Sequence, residues 1–382
     1  MKWETYKLKQ LCSEIVDCVN KTAPTSDVPT PYKMLRTSDI REGKINLENL
    51  NCVTKEVYEK WTRRGKLQKG DVIFTREAPL GEVGLVREEK NYFLGQRLVL
   101  FRANNKMCDG RFLMYSLLWH DNKQAIISKG VGSTVAHLRV PECENIEIKV
   151  PDLDVQHRIA DILSAYDDLI ENNQKQIKLL EEAAQRLYKE WFVDLRFPGH
   201  ENTKIVDGVP EEWRKFPLEE IAPVVTGKKD ANYGDKGGNY PFFTCSQETI
   251  TAPGYSFDTS AVILAGNGDF NVKLYRGKFE AYQRTYVLAP FDHSNLFNLY
   301  FTVQDNMEAL TKGASGSTIK FLTKGMLQKI LVLTADKKIL DKFNDYEENI
   351  QQKVEALKKQ VEDLTEIRNR LLPKLMSGEV EV

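Results

Sequence analysis

The stretch Gly132-Ser133-Thr134 recurs 184 positions later as Gly316-Ser317-Thr318. The pair Arg186-Leu187 recurs at the same interval as Arg370-Leu371. Each copy has the same order of features: a region of strand-like runs and turns, the Gly-Ser-Thr turn, one strand and one long amphipathic helix. This self-similarity predicts an internal duplication with two like structural units.

Both copies open with the same alternation of apolar residues, but at a different interval. Trp3 matches Trp213 and Leu8 matches Leu218, an interval of 210 residues. Since 210 exceeds 184 by 26, the second copy is 26 residues shorter between its opening and its Gly-Ser-Thr turn. Loops that change length within a constant frame are typical of proteins that vary their specificity. Two like units also favour a pseudo-symmetric partner, and duplex DNA is the commonest one.

Each globular region is predicted to be α+β with a curved sheet, because short apolar runs alternate with Gly, Pro, Asn and Asp clusters. Short helices are expected around residues 110–127 and 294–311. Strands are expected at residues 71–74, 84–86, 98–101 and 146–150, and in the second region at 261–264, 272–275, 285–288 and 330–333. The predicted domains are residues 1–150 (first globular domain), 151–197 (first long helix), 198–212 (exposed linker), 213–335 (second globular domain) and 336–382 (second long helix and tail).

The two long helices carry a heptad pattern. Asp154 is the expected N-cap of the first, Asn173 is a buried polar residue that can fix register, and Pro373 is expected to break the second near Leu372, with Gly378 as the stop. The seam is predicted to contain Ile159, Ile162, Tyr166, Leu169, Asn173, Leu180 and Leu187 in the first helix, and Phe343, Ile350, Leu357, Leu364 and Leu371 in the second.

Two arrangements of these helices are open. Each could pack on its own domain, or the two could pair as an antiparallel coiled coil that separates the globular domains. Pairing is favoured because both stripes are narrow, of similar length and flanked by charges. A helix from Val155 to Phe192 would be about 55–60 Å long, so a pair would act as a ruler between half-sites about one DNA turn apart. Disrupting Leu169 or Leu357 should then impair assembly rather than base choice.

The charge distribution favours a polyanionic partner only for the first region. The whole chain has a net charge of −1, which argues against a simple basic DNA-binding protein. Residues 1–150 contain 25 Lys and Arg against 19 Asp and Glu, a net of +6, whereas residues 151–200 contain 6 against 10. The second region, residues 201–335, is close to neutral with 14 against 15. DNA contact there would need a local basic face.

The motifs of several enzyme classes are missing from the sequence. It has no Gly-x-x-x-x-Gly-Lys-Ser/Thr loop, no Gly-x-Gly-x-x-Gly, no His-Glu-x-x-His, no Gly-x-Ser-x-Gly, and no Asn/Asp-Pro-Pro-aromatic tetrapeptide of amino-methylating enzymes. Glu77, Glu82 and Lys90 could make a nuclease site, but any chain so rich in charge offers such sets by chance. The six scattered cysteines and five separate histidines do not suggest zinc. We therefore expect a non-catalytic protein without cofactor or metal.

Membrane and export signals are also missing from the sequence. No apolar run approaches the roughly 18–20 residues that a membrane span requires, and the start lacks a signal-peptide core. A cytoplasmic protein is expected.

At Pro151–Ser164, Leu187–Phe192 and Leu371–Glu379 the sequence resembles one family, the specificity subunits of type I restriction-modification systems. Pro151–Ser164 (PDLDVQHRIADILS) is similar to the entry of their first long helix, and Leu187–Phe192 (LYKEWF) to its end. Leu371–Glu379 (LLPKLMSGE) looks like their C-terminal tail. Asp154-Val155-Gln156 departs slightly, since the family more often has Glu-Gln in place of Val-Gln. The resemblance extends over the whole chain, including the order of domains.

This resemblance implies two target-recognition domains that read the halves of a split, asymmetric DNA sequence. It implies an antiparallel coiled coil that sets the gap, and two methyltransferase subunits that dock on the chain and connect it to restriction and translocase subunits. N6-adenine methylation with S-adenosylmethionine, and ATP- and Mg²⁺-dependent translocation and cleavage, would belong to those partners.

The candidate DNA contacts follow from the side chains that suit bases and phosphates. Arg and Lys suit guanine, Asn and Gln suit adenine, and Ser, Thr and backbone N–H groups suit phosphates. The Gly-Ser-Thr turns could equally be simple connecting loops, and each arginine could serve a structural ion pair. The candidates are Arg36, Thr37, Ser38, Arg76, Gln96, Arg97, Lys129, Ser133 and Thr134 in the first domain, and Asn267, Gln283, Arg284, Lys312, Ser317, Thr318 and Lys320 in the second.

Two other functions compete with DNA recognition. A duplicated coiled-coil adaptor that binds only proteins would have the same helices. A stand-alone nuclease with an unrecognised site would use carboxylates outside any known motif.

Overall fold

The computed structural model describes residues 2–132, 136–314 and 320–382. The chain forms two compact units. Unit 1 contains Met1–Gln174 together with Lys359–Val382, and unit 2 contains Lys175–Lys358. Each boundary falls inside a long helix, so each unit contains one globular region and a segment of both long helices.

Unit 1 is built on a four-stranded antiparallel sheet. Its order places Leu98–Ala103 between Cys12–Asp17 and Val72–Thr75, with Val83–Leu85 at the edge. A three-stranded sheet has Lys33–Leu35 between Asn51–Cys52 and Tyr92–Leu94. The remaining strands pair as Glu4–Lys7 with Glu147–Val150 and Ile40–Arg41 with Lys44–Ile45.

The Gly110–Leu118 helix packs on one face of the four-stranded sheet, whereas Lys55–Trp61 packs against the three-stranded sheet. Asp109 caps the Gly110–Leu118 helix by accepting hydrogen bonds from the N–H groups of Arg111 and Phe112. Phe112 and Tyr115 from this helix are buried in the same apolar core as Phe74 and Phe101 from the strands. The shorter helical segments are Leu8–Leu11, Thr37–Asp39, Lys55–Trp61, His120–Ser128 and Val140–Glu144.

Unit 2 repeats the plan with a six-stranded sheet. The strand order is Val224–Thr226, Thr285–Leu288, Phe257–Ala265, Val272–Ala281, Tyr240–Phe243 and Ile250–Ala252. Arg214–Pro217 pairs antiparallel with Leu331–Thr334, as the opening strand of unit 1 pairs with its last strand. The N–H of Leu218 donates to the Ile330 carbonyl, and the N–H of Leu8 donates to the Ile146 carbonyl. The predicted duplication is confirmed at this level of backbone pairing.

The helical segments of unit 2 pack around two apolar clusters. Leu299 and Val303 of the Leu296–Asp305 helix lie against the sheet, and Phe297 and Phe301 lie in a second, aromatic cluster. The other helical segments are Lys189–Val193, His200–Asn202, Leu218–Ile221, Ala231–Tyr233, His293–Asn295, Met307–Lys312 and Lys324–Gln328. The predicted linker contains a short hairpin in which Ile205–Val206 pairs with Val209–Pro210.

The long helices extend over Leu153–Tyr188 and Lys337–Ser377. In unit 1 they run antiparallel, because Asp167 contacts Arg368 whereas Asn173, further along the first helix, contacts the earlier residue Gln360. In unit 2 Lys358 contacts Glu181, and Tyr188 lies in the same cluster as Phe343. The expected antiparallel pairing is therefore present within each unit.

Each unit is completed by the end of the other copy's helix. Trp191 and Phe192, after the first long helix, are buried in the aromatic cluster of unit 2. Leu375 and Met376, which lie 184 positions later, are buried in the core of unit 1. The division of the sequence into consecutive domains did not anticipate this exchange, because an apolar stripe does not specify which core it joins.

Of three expectations about helix ends, two are corrected and one is confirmed. The first long helix begins at Leu153, and it is Asp152 rather than Asp154 whose carboxylate accepts the N–H of Val155. Pro373 lies inside the second helix and does not break it, since the helix continues to Ser377. Burial of the next turn in the core of unit 1 offsets the one hydrogen bond that proline cannot make. Gly378 ends the helix as expected, with φ +78°.

The sequence predicts no membrane-spanning segment, and the helices that the structure describes bear on this expectation. None of them has a long enough apolar stretch to cross a bilayer.

Candidate nucleic-acid interface

The predicted contact residues of unit 1 converge at one end of the four-stranded sheet. Because Leu98–Ala103 runs antiparallel to both neighbours, its start lies beside the ends of Cys12–Asp17 and Val72–Thr75. The loops at this end comprise residues 17–22, 36–39, 76–78, 96–97 and the described part of 129–139, and we call them strand-end face 1.

Hydrogen bonds connect these loops directly. The N–H of Arg76 donates to the Arg97 carbonyl at 2.8 Å, and the N–H of Leu138 donates to the Arg76 carbonyl at 3.0 Å. The Thr37 hydroxyl donates to the Ala78 carbonyl at 2.9 Å. Four separate segments of the sequence are thereby fixed to one another.

Two of the predicted arginines are held by carboxylates. The Arg36 guanidinium forms two hydrogen bonds with Asp39, at 3.0 and 2.8 Å, which raise the pKa of Arg36 above its ordinary value. Arg76 donates to Asp17 at 3.0 Å and to the Leu138 carbonyl at 3.2 Å, and its side chain is only 16% exposed. Both arginines thus fix the shape of the face.

Other predicted residues of strand-end face 1 are open to solvent. The Arg97 side chain is 51% exposed, with its Nε 3.3 Å from Glu77. Gln96 accepts a hydrogen bond from Thr22 at 3.0 Å, and Ser38 and Lys129 are exposed. Ser133 and Thr134 lie outside the described residues.

Unit 2 repeats the two backbone hydrogen bonds of this junction. We call residues 228–229, 266–267, 283–284 and the described part of 312–322 strand-end face 2. The N–H of Gly266 donates to the Arg284 carbonyl at 2.9 Å, and the N–H of Leu322 donates to the Gly266 carbonyl at 2.7 Å. A bridge joins Asn267 to Phe321, as one joins Glu77 to His137 in unit 1. A Cβ on Gly266 would lie 2.3 Å from the Arg284 carbonyl oxygen, so this close approach requires glycine.

Strand-end face 2 also presents predicted residues to solvent. Gln283 and Arg284 are exposed, and the N–H of Gln283 donates to the Lys229 carbonyl at 2.9 Å. Lys320 is exposed, and Lys312 is 75% exposed and paired with Glu308. Ser317 and Thr318 lie outside the described residues.

The helix seam follows most of the predicted positions. Ile159, Asn173, Phe343 and Leu357 are buried. Leu169 is 51% exposed, whereas Ile170 is 2% exposed and faces inward. The assignment of Leu169 to the helix seam is therefore wrong by one residue, because the first helix presents the stripe of Leu163 and Ile170. The remaining predicted positions are partly buried: Ile162, Tyr166, Leu180, Leu187, Ile350, Leu364 and Leu371.

A buried carboxylate is fully paired in the seam of unit 1. Asp167 is 6% exposed and accepts a hydrogen bond from the Tyr115 hydroxyl at 2.6 Å. Its other oxygen lies 2.7 Å from the Arg368 guanidinium. Burial and the neighbouring carboxylate raise the pKa of Tyr115, so the phenol remains a donor.

The seam of unit 2 also contains a buried carboxyl group, but this one has no hydrogen-bond partner. Glu347 is fully buried, and neither of its oxygens has a hydrogen-bond partner. Burial raises the pKa of Glu347 to about 8. The position 184 residues earlier is Leu163, an apolar core residue.

Comparison with known proteins connects these features to one family. The family model described as "Type I restriction modification DNA specificity domain" matches residues 1–182 and again residues 210–363. The chain belongs to the type I restriction-modification specificity family. Its two matches coincide with the two copies of the duplication, so this specificity subunit contains two target-recognition domains.

Relatives of this specificity subunit match it over different lengths. The EcoDI specificity subunit of Escherichia coli is 38% identical over 176 residues, which cover 45% of this chain and 39% of that protein. The MjaIX specificity subunit of Methanocaldococcus jannaschii is 26% identical over 348 residues, covering 82% of this chain and 78% of that protein. The S subunit of a Mycoplasma genitalium type I system shares the fold, with a TM-score of 0.65 and 18% identity over 98% of this chain and 96% of that one.

Sequence reasoning missed several basic residues beside strand-end face 1 of the specificity subunit. Lys21, Lys60, Arg63 and Arg64 are exposed near Thr22, the hydrogen-bond partner of Gln96. The run Lys60-Trp61-Thr62-Arg63-Arg64 was a visible signal, because a basic run that contains an aromatic residue is typical of nucleic-acid surfaces.

Side chains that could bind a metal ion are scattered over the described part of the chain. No group of three or more His, Cys, Asp or Glu side chains is placed there to hold a metal ion. All six cysteines are free thiols, and burial raises the pKa of Cys12 to about 12.

Proposed function

We propose that this chain is the sequence-specific DNA-recognition subunit of a type I restriction-modification complex, and that unit 1 and unit 2 each read one half of a bipartite, asymmetric target. The observation that carries the proposal is the repeated junction, in which the same backbone hydrogen bonds present a Gln-Arg pair at the end of each sheet. Gln96-Arg97 and Gln283-Arg284 have the chemistry that reads adenine and guanine in the major groove. The loops around the two pairs differ, which suits an asymmetric target.

The contact residues would divide into two roles. The exposed side chains of Arg97, Lys129, Gln283 and Arg284 suit direct contact with bases or phosphates. Arg36 and Arg76, whose guanidinium groups are taken up by carboxylates, would position the loops. The remaining candidates for contact are Thr37, Ser38, Gln96, Ser133, Thr134, Asn267, Lys312, Ser317, Thr318 and Lys320.

The catalytic work would belong to partner subunits. Two methyltransferase subunits would dock on the chain and connect it to restriction and translocase subunits. They would use S-adenosylmethionine, ATP and Mg²⁺ for adenine methylation, translocation and cleavage. That the long helices set the gap between the half-sites stays a prediction of the sequence.

A binding experiment separates DNA recognition from a protein-only adaptor. We expect the chain, with its methyltransferase partner present, to shift a labelled duplex with an affinity that falls steeply as salt rises. A shift that is absent or independent of salt would favour the adaptor. Incubation of the chain alone with plasmid and Mg²⁺ should leave the plasmid uncut, and cutting would favour a nuclease.

A map of methylated adenines in the host tests whether each unit reads one half of the target. N6-methyladenine should occur at a two-part motif in the host and disappear when the gene is deleted. The double variant Gln283→Ala/Arg284→Ala should relax or abolish recognition of one half only, since a good bidentate contact contributes roughly 1–3 kcal/mol of discrimination. Lys215→Gln, at an exposed lysine on the Arg214–Pro217 strand near the opposite end of the sheet, is the matched control and should leave the motif unchanged.

A further inference from the structure

Unit 1 has a group of exposed basic side chains that the candidate reading residues do not include. Lys21, Lys60, Arg63 and Arg64 lie at the end of the Lys55–Trp61 helix and on the loop beside it. We call these four residues the basic patch. Its two segments are joined, because the Trp61 indole N–H donates to the Lys21 carbonyl at 3.3 Å and Arg64 donates to the Cys18 carbonyl at 3.1 Å.

The basic patch adjoins strand-end face 1. Thr22, next to Lys21, donates its hydroxyl to Gln96 at 3.0 Å. The N–H of Cys18 donates to the Leu98 carbonyl at 3.3 Å, and Asp17 contacts both Arg76 at 3.0 Å and Arg64 at 3.9 Å. The patch therefore continues the surface that presents Gln96-Arg97.

Most of the positive charge of the patch is unneutralised. Lys21, Lys60 and Arg63 take part in no ion pair within the described ranges, and Lys60 lies 5.7 Å from the centre of the Trp61 ring. A lysine at a helix C-terminus is favourable for the helix dipole, by roughly 0.3–1 kcal/mol. That effect accounts for Lys60 but not for Lys21 or Arg63, which lie outside the helix. Gathering like charges is unfavourable without a polyanionic partner.

The helix that carries the basic patch has no counterpart among the described residues of unit 2, where Lys228 and Lys229 lie beside Gln283 instead. Between Val224–Thr226 and Phe257–Ala265 unit 2 has two short strands and the turn Ala231–Tyr233, but no α-helix. The second copy is 26 residues shorter before its Gly-Ser-Thr turn. The first globular region has a net charge of +6, whereas residues 201–335 contain 14 basic and 15 acidic residues.

We propose that the basic patch is a phosphate-contact surface, through which unit 1 grips the DNA backbone beside the bases that it reads. This inference rests on the proposed function and deepens it. Lys and Arg bind phosphate oxygens without regard to sequence and release condensed counterions. Since the first globular region has the larger positive charge, unit 1 provides the larger share of the salt-dependent affinity.

The test compares two triple variants of the full chain. The first is Lys21→Gln/Lys60→Gln/Arg63→Gln, which spares Arg64 because of its hydrogen bond to Cys18. The matched control is Lys9→Gln/Lys106→Gln/Lys149→Gln. These three exposed lysines of unit 1 lie near the opposite end of the sheet, and their loss changes the net charge equally. Circular dichroism and thermal unfolding confirm that both variants are folded.

With the methyltransferase partner present, binding to a labelled duplex is measured by fluorescence anisotropy between about 50 and 200 mM salt. Over this range each phosphate contact contributes a slope of roughly −0.9 to log K against log salt. The patch variant should lose about 2–3 units of slope, and the control should lose almost none. Acylation of Lys21 and Lys60 in the wild-type chain should decrease when DNA is added.

Two results would overturn the proposal. The first would leave the proposed function in place, and the second would reject it as well. If the wild-type chain binds DNA and the patch variant keeps the full slope, or if the control loses as much, the patch is not a phosphate surface and the proposed function stands. An acidic protein would then be its partner. If the wild-type chain together with its methyltransferase partner binds no DNA, the proposed function fails together with the patch.

Discussion

The two helix seams bury carboxyl groups in opposite ways. In unit 1, Asp167 is satisfied by the Tyr115 hydroxyl and by Arg368. In unit 2, Glu347 is fully buried with both oxygens unpartnered. The copies therefore differ in how they keep a polar group in an apolar seam: the first by pairing a charge, the second by holding a proton. A duplicated frame tolerates both because each seam is built from a different pair of helix segments.

The largest expected effect comes from removing the cation of unit 1. Arg368→Met should destabilise the seam by about 3–5 kcal/mol, because it leaves a buried carboxylate without its countercharge. Hydrogen exchange of residues 153–174 and 359–377 measures the loss within unit 1 alone. Arg370→Met, at a side chain that is 78% exposed and paired with Glu366, is the control and should change the seam by less than about 0.5 kcal/mol. Equal effects of the two variants would show that the Asp167 pairing is not what stabilises unit 1.

The second-largest expected effect is a stabilisation, and it comes from replacing the buried carboxyl group of unit 2. Glu347→Leu gives unit 2 the residue that the first copy has at the matching position, and should stabilise its seam by about 2–4 kcal/mol above pH 8. The folded state holds the proton up to about pH 8, whereas the ordinary pKa is 4.5. The wild-type seam therefore has its full stability below pH 4.5 and loses it as the pH rises through 8. Exchange rates of residues 337–358 across this range are the measurement.

Two further variants sharpen that result. Glu347→Gln should flatten the pH dependence of unit 2 without changing the shape of the side chain. Glu348→Gln, which alters the exposed partner of Arg276, should leave the dependence in place. A wild-type seam that is equally stable at pH 4.5 and pH 8 would contradict the assignment of a proton to Glu347.

A smaller effect distinguishes adjacent residues of the first helix. Ile170→Val should destabilise the seam by about 1 kcal/mol, because it removes one buried methyl group. Leu169→Val should leave the stability of the seam almost unchanged, since Leu169 is half exposed. Chemical denaturation followed by segment-resolved exchange compares the two. A larger loss for Leu169 would restore the seam predicted from the heptad pattern.

The smallest effect concerns the exposed ion pair of unit 2. Lys358→Gln should change stability by only about 0.2–0.5 kcal/mol, because Lys358 and Glu181 are both more than half exposed and screened by salt. A double-mutant cycle with Glu181→Gln measures the pair at low and high salt. If the coupling energy between Lys358 and Glu181 were as large as that between Asp167 and Arg368, exposed and buried ion pairs would contribute equally to stability.

The sequence predicted the elements of this fold better than their partners. Thr285–Leu288 is a strand with the expected bounds, and Gly110–Leu118 and Leu296–Asp305 lie where short helices were expected. These elements are local, since alternating apolar residues and Gly or Asp boundaries determine them. The partners of Leu375 and Met376 could not be predicted, because an apolar helix end fits either core. Pro373 was misjudged for the same reason, as tertiary burial overrode a local rule.

The candidate interface also combines residues that the sequence predicted with contacts that only the fold reveals. Gln96-Arg97 and Gln283-Arg284 were predicted from side-chain chemistry, and the structure places each pair at the end of a sheet. The ion pairs of Arg36 with Asp39 and of Arg76 with Asp17 needed the fold, because Asp17 is 59 residues from Arg76. The basic residues of the patch were visible in the sequence. Their position beside Gln96 could be recognised only from the structure, in which Thr22 donates a hydrogen bond to Gln96.

The exchange of helix ends has a consequence for synthesis on the ribosome. Domains ordinarily fold in the order in which they emerge, N-terminal first. Here the core of unit 1 waits for Leu375 and Met376, which are translated after all of unit 2. The first-made globular region therefore remains incomplete until the second long helix has been translated, and part of its apolar core is uncovered until then.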